Sequence, residues 1–204
     1  MPVEPDGWRG DVAPELHLED CVVTAEDFSA AHVLRTDGCS LSAVMLANAK
    51  LEKLQLTDTV IDHCEAAGLQ APGAVGVRIV VKNSRLTGAD FGRAVLDDCT
   101  LEGLKLDEAN LRFTACKRVV FRDCILRNAD FTSARLTHVS FVRCDLEGAI
   151  FDRATCMSVD LRGEKLAGIK GIAGLKGTRI LPEQLIELAP LLAQEVGLDV
   201  EYAS

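Results

Sequence analysis

From Leu41 to Leu166 every fifth residue of the chain is apolar: stepping in fives reaches 26 positions, 25 of them hydrophobic, and the exception is Gly76. Two residues before each stands a small side chain, Ala, Cys, Ser, Thr or Val in 21 of the 26 units, as at Ala89, Cys99, Ala129 and Ala149. The other three places of each unit read as far less constrained. A period of five suits neither regular element, because it advances about 140° around an α-helix and alternates between the two faces of a strand. A chain that turns a corner every five residues can bury both recurring residues from each side, and four such sides close a coil of 20. Columns at that longer spacing support the coil: Phe121 with Phe141, Phe131 with Phe151, and Leu106, Leu126, Leu146 and Leu166 in series. Charges at the same spacing alternate in sign, through Asp62, Lys82, Glu102 and Arg122, through Asp58, Arg78, Asp98 and Arg118, and through Asp107, Arg127 and Glu147. Stacked coils bring such partners about 4.8 Å apart, where opposite charges attract.

The units ADFGR, CTLEG, ANLRF, CILRN, ADFTS, CDLEG, AIFDR and VDLRG resemble the A(D/N)LXX units of the pentapeptide-repeat family. The resemblance covers residues 39 to 168 in one register and residues 16 to 35 in a second, with Leu18, Val23, Phe28 and Val33 central. It implies an all-β solenoid, a right-handed quadrilateral β-helix; about seven coils at ~4.8 Å make a rod of roughly 35 Å. The expected organisation is a lead-in over 1–15, the β-helix over 16–170 and a C-terminal helical cap or dimerisation segment over 171–204. The step of eight from Val33 to Leu41 predicts three extra residues, bulging at Thr36, Asp37 and Gly38. The weak centres Ala66, Ala71 and Gly76 predict a thinner or distorted coil over 66–80, with a corner protruding at Pro72 and Gly73.

After Leu166 the pattern stops. Gly168 to Thr178 carries frequent glycine but not the order that cradles phosphate, so it reads as a flexible connector. Leu185, Leu188, Ala189, Leu192 and Val196 then share one face of a predicted helix. Pro182 suits its first turn, Gly197 its C′ position and Leu198 the contact that follows, while Pro190 should kink the helix or split it. Asp199 to Tyr202 reads as a short terminal strand. The helix is expected to cover the open edge of the solenoid. In the subgroup of the family that resembles DNA and binds DNA gyrase, it also joins two rods end to end. The resemblance therefore implies a homodimer through Leu185, Leu188, Leu192, Val196 and Tyr202.

Composition narrows the functional classes. A chain that is 48% hydrophobic with only 4% aromatic residues should fold around a core of small, similar pieces. Its net charge of −9 argues against direct binding of nucleic acid or an anionic membrane, both of which need a positive field. No run approaches 18 apolar residues and the amino terminus is acidic, so the expected location is the cytoplasm. All eight cysteines fall in inward slots without short CxxC pairs, which makes them core fillers and not zinc ligands. His17, His32, His63 and His138 join no nucleophile motif, and Trp8 is expected to pack over the first coil. Neither an enzyme nor a cofactor is expected. Function must then come from the surface.

The charge is uneven: residues 1–65 carry a net −9, residues 82–170 a net +2 and residues 171–204 a net −3. The resemblance implies a DNA mimic that binds DNA gyrase or topoisomerase IV and inhibits it or protects it from inhibitors such as fluoroquinolones. Duplex DNA carries roughly 20 charges over 35 Å, more than this chain offers, so the acidic face is placed at Glu15, Glu19, Asp20, Glu26, Asp27 and Asp37. The alternative is a protein–protein scaffold with an unrelated partner. Its candidate surface is the outward column of Val60, Val80 and Val120, interleaved with Thr100 and Ser140, together with Phe113, the one Phe outside an inward slot.

Overall fold

The computed structural model describes residues 15–198. Over that range the chain winds into a quadrilateral β-helix of about eight turns, ending in a single α-helix, α1 (Pro182–Glu195). Each side of the square uses its five residues in one order: inward, outward, inward, outward, corner. In the side from Cys99 to Gly103, Cys99 and Leu101 are buried, Thr100 and Glu102 are half-buried, and Gly103 turns the corner at a φ of 64°. Every side from the one ending at Gly38 to the one ending at Gly168, Lys53 apart, closes on a residue with positive φ. That conformation costs an ordinary residue roughly 1–2 kcal/mol and glycine nothing, and Asn and Asp tolerate it best of the rest. The fifth place of the unit, free of constraint in the hydrophobic pattern, thus carries a backbone requirement that Asn, Asp and Gly meet. The corners also stack: a Cβ on Gly38 would collide with the Asp20 carboxylate, and one on Gly148 with the Asn128 carboxamide.

Successive turns pair in parallel. The first side runs from Glu15–Glu19 through Val33–Asp37, Lys53–Thr57 and Val75–Val77 to Thr155–Met157. A second side runs from Val22–Thr24 through Ser40–Ser42, Val60–Asp62 and Val80–Lys82 to Val159–Asp160. The third and fourth sides pair through single residues, from Asp27 and Met45 to Lys165 and from Lys50 to Lys170. Val33 lies beside Lys53, Val95 beside Ala115 and Phe121 beside Phe141, each pair 20 residues apart.

The first turn breaks this rule by contraction. Glu15 pairs with Val33, Val22 with Ser40 and Asp27 with Met45, each only 18 residues on. The change of register therefore comes from two residues missing between Ala31 and Leu34, both buried, and not from three inserted after Val33. Leu34 and Thr36 already stand in the main register opposite Leu54 and Leu56. Thr36 disguises this because a polar residue fills a large inward slot; its buried hydroxyl shares a 2.8 Å hydrogen bond with the Thr59 hydroxyl.

The turn over residues 61–80 is equally regular, contrary to the expected distortion. Gln55 pairs with Val75 and Val75 with Val95, and Pro72 and Gly73 occupy the same two-residue corner as Gly92 and Arg93. Backbone ladders hold the path, and the small side chains Ala66, Ala71 and Gly76 are felt inside instead. A cavity of about 110 Å³ runs along the axis through this turn, its lining extending from Leu34 to Phe121 and including Ala66, Ala74, Gly76, Ile79, Phe91 and Leu96. Farther along, the interior is full: Phe121 and Phe141 stack at 4.9 Å, Phe131 and Phe151 likewise, and all but Phe141 are wholly buried.

The expected connector after Gly168 is partly structured. Ile172–Leu175 forms a 3₁₀ turn, and Thr178–Arg179 pairs with Val159–Asp160. Gly171 and Gly174 are demanded by close approach, because a Cβ would strike the backbone of Asp152 and of Phe151. Helix α1 is not split at Pro190 but runs through it, and ends in a Schellman motif in which Leu198 donates to the Ala193 carbonyl at 2.8 Å and Gly197 to that of Gln194 at 3.0 Å. Its first turn is fixed by Gln184, 6% exposed. The Gln184 carboxamide donates to the carbonyls of Leu161 (2.7 Å) and Glu164 (2.8 Å) and accepts from the N–H groups of Leu181 (2.7 Å) and Gly163 (3.2 Å). One side chain thereby supplies the donor and acceptor that the main chain of a further turn would have supplied.

Candidate functional site

The six acidic candidates are all exposed and all belong to the first turn or its junction with the second. They do not make one face. Glu15 and Glu19 lie on the first side, with Asp37 directly above Glu19 and Asp20 at the next corner. Glu26 and Asp27 lie on the third side, where Asp27 pairs with Met45 and is held below its ordinary carboxylate range by hydrogen bonds from Ser29. The structure therefore gathers Glu15, Glu19, Asp20 and Asp37 and separates the other two. Against these carboxylates residues 15–38 offer one base, Arg35, whose guanidinium meets His17 at 3.0 Å and forms no ion pair with a carboxylate among the described residues. Two like charges directly opposed across a ladder work against the fold.

In later turns arginines neutralise several corner carboxylates. Arg78 grips Asp58 through two 2.6 Å bonds, Arg143 grips Asp123 in the same way, and Arg118 reaches both Asp97 and Asp98. These partners hold Asp58, Asp98 and Asp123 below the usual range. The Asp58 to Arg118 series thus pairs as its spacing predicts. The other two series do not: Asp62 turns to Asn83 and His63, and Arg127 bonds Asp145 at 2.7 Å in place of Asp107 or Glu147.

The apolar candidates fall on different parts of the rod. Val60, Val80 and Val120 form the expected column on the second side, in register with Ser40, Thr100 and Ser140, and only Val60 is well exposed, at 41%. Phe113 stands apart from them, at the corner that opens the first side, 49% exposed with the Arg112 guanidinium 5.9 Å from its ring. The side that it opens carries Val75, Val77 and Val95 in the two turns before it, an apolar stretch that the spacing of 20 between Val75 and Val95 signals.

Helix α1 buries a narrower face than predicted. Gln184 and Leu188 are buried and Leu191 is half-buried against the end of the coil, whereas Leu185, Leu192 and Val196 point outward with Ile186. Ile186 and Val196 are 76% and 72% exposed. Tyr202 and the expected terminal strand, like Trp8, lie outside the described residues.

The cysteines are free thiols, six of them buried and Cys21 and Cys156 half-buried. Burial pushes Cys116 up to about 12 and Cys156 to about 11, the opposite of what a nucleophile needs. Among the described residues no group of three His, Cys, Asp or Glu side chains is placed to hold a metal ion, and no helix is long and apolar enough to cross a membrane.

Comparison with known proteins bears on the same coil. Residues 81–151 match the family described as "Pentapeptide repeat region". No curated protein matches the chain in sequence. Among solved structures, a trypsin-treated QnrB1, described as a plasmid-mediated fluoroquinolone resistance protein, aligns over 92% of each chain at 20% identity with a TM-score of 0.41. HetL, described as involved in heterocyst differentiation regulation in the cyanobacterium Nostoc sp. strain PCC 7120, aligns over 77% of this chain and 85% of its own at 17% identity and a TM-score of 0.37. A pentapeptide repeat protein of the Arabidopsis thaliana thylakoid lumen covers 61% and 73% at 23% identity and a TM-score of 0.27. The residues that match this family lie at the centre of the coil, and the same five-residue unit is carried through the turns on either side of them.

Proposed function

We propose that this chain is a non-enzymatic binding protein that presents its N-terminal turns, in place of DNA, to the basic DNA-binding surface of a type II topoisomerase, DNA gyrase or topoisomerase IV, and so modulates the enzyme or shields it from inhibitors. The observation that carries this reading is the stack of Glu19, Asp20 and Asp37, none of which forms an ion pair with a base among the described residues. At Asp58, Asp98 and Asp123 the chain pairs a corner carboxylate with an arginine one turn away, but here it opposes carboxylate to carboxylate at a cost to its own stability. A basic partner relieves that repulsion, and phosphate-binding surfaces are built to receive negative charge at close spacing. Two copies joined at their C-terminal ends double the acidic length: Leu185 and Ile186 of α1, and Val196 just after it, are exposed beyond the end of the rod, where a second helix would cover them.

Supercoiling by DNA gyrase and decatenation by topoisomerase IV, each titrated with the purified protein with and without a fluoroquinolone, test the reading. Inhibition or drug protection is expected, and in the variant Glu19→Gln, Asp20→Asn, Asp37→Asn it should require about tenfold more protein, equivalent to ~1.4 kcal/mol. No effect on either enzyme at large molar excess rejects the topoisomerase reading and turns attention to a protein partner for the apolar side at Val75, Val95 and Phe113. Sedimentation of the same preparations should show a dimer that Ile186→Glu converts to a folded monomer; a wild-type monomer at all concentrations rejects the end-to-end pairing.

A further inference from the structure

We infer that the axial cavity, where it passes through the turn of residues 61–80, is a binding site for a small uncharged apolar molecule, of the size class of xenon or a two- or three-heavy-atom hydrocarbon. The site arises from sequence. In the columns of large inward residues, Ala66 stands between Leu46 and Leu86, Ala71 between Leu51 and Phe91, and Gly76 between Leu56 and Leu96. Three of the four large slots in one turn are therefore vacated together, while the ladders on either side hold the turn at its regular spacing. Collapse is blocked by the backbone, and this turn contributes to about 110 Å³ that stays open along the axis between Leu34 and Phe121. A second observation agrees with the first. Phe91 and Leu96 point inward from the next turn yet are only partly buried, whereas the inward residues Phe121, Leu126, Phe131 and Leu136 have no accessible surface.

The chemistry of the lining selects the guest. No charged residue lines the space, and its polar contributors are the Ser84 hydroxyl and the Cys64 thiol. Both are already engaged: Ser84 Oγ donates to the Lys82 carbonyl at 2.6 Å and accepts from the Cys64 N–H at 2.9 Å, and Cys64 Sγ donates to the Asp62 carbonyl at 3.6 Å. A buried water needs two to four polar partners, and the space offers none that is free. Apolar cavities of similar size in proteins remain dry and take up benzene or xenon. A guest restores the dispersion contacts that the walls have lost. Ile79 and Leu96 already lean over Gly76, since a Cβ there would meet Ile79 Cδ1 at 2.8 Å and Leu96 Cδ2 at 3.0 Å, so the space is best filled from Ala66.

Xenon is the probe. The full chain, crystallised and pressurised with xenon, is expected to show the gas beside Ala66 within the turn, and its melting temperature in solution should rise with xenon pressure. Ala66→Leu, which completes the Leu46–Leu86 column, should abolish both effects and raise the melting temperature in the absence of gas. Should Ala66→Leu fail to fold, Ala66→Val reads the same loss with less volume added. Ordered water in the cavity, or xenon only at other places or nowhere, overturns the inference.

Discussion

Phe131→Ala is expected to destabilise the protein by about 3–5 kcal/mol, the range for removing a buried aromatic side chain from a core that cannot close around the gap. Phe131 is wholly buried, stacked on Phe151 at 4.9 Å and set edge-on to Phe121 and Phe141 at 6.4 and 6.1 Å. Aromatic pairs of these geometries contribute roughly 0.5–1.5 kcal/mol beyond their area, so the loss should sit at the upper part of the range. The turn at residues 61–80 shows why the gap persists: a coil whose sides are laddered to both neighbours does not contract around missing side chains. At roughly 2–4 °C for each kcal/mol in a chain of this length, the melting temperature should fall by about 6–20 °C. Thermal and urea unfolding followed by circular dichroism measure it. A fall no larger than that of a conservative Phe131→Leu variant would show that the interior repacks and that the ladders do not hold the turns apart.

What could be read from the sequence was whatever repeats. The apolar fifth residue, the small residue before it and the columns twenty apart are consequences of one local geometry applied again and again, so the solenoid, its four sides and the stacked Phe pairs follow from spacing alone. Single exceptions are where the pattern misleads. Thr36 occupies a large inward slot with a hydroxyl satisfied by Thr59, and a search for apolar residues slides past it and counts an insertion where the first turn is two residues short. The run of Ala66, Ala71 and Gly76 looks like a fault in the path, but path is a property of backbone pairing, which small side chains leave untouched. The candidate surfaces were legible only in part. Glu19 and Asp37 are neighbours because the first turn has 18 residues, and the spacing of 20 that identifies every later pair would have separated them. Phe113 was found as an outlier, yet its association with Val75 and Val95 depends on which corner it turns.

The junction between coil and helix carries the second large effect. Gln184→Ala removes four hydrogen bonds at one stroke and leaves the carbonyls of Leu161 and Glu164 and the N–H groups of Gly163 and Leu181 to find other partners. Each buried group left unsatisfied costs about 1–3 kcal/mol, and with two or more of the four kept from water the expected loss is roughly 3–5 kcal/mol. Gln184→Glu should be nearly as harmful, because a carboxylate accepts from Gly163 and Leu181 but cannot donate to the two carbonyls. It would also place a charge beside Glu164, whose own carboxyl is already pushed up by burial even though it accepts from the Arg143 and Cys144 N–H groups. Turns of a solenoid contact only their neighbours, so the damage should be local: hydrogen exchange is expected to quicken from Leu161 to Leu192 while the turns around Phe121 and Leu101 stay protected. Uniform quickening along the whole rod would mean that the helix stabilises the coil globally. Because Gln184 and Leu188 face the coil and Ile186 faces away from it, Gln184→Ala should loosen the cap in a monomer as well as in a dimer, whereas Ile186→Glu should act only on pairing, and the two variants together separate the roles that the helical segment combines.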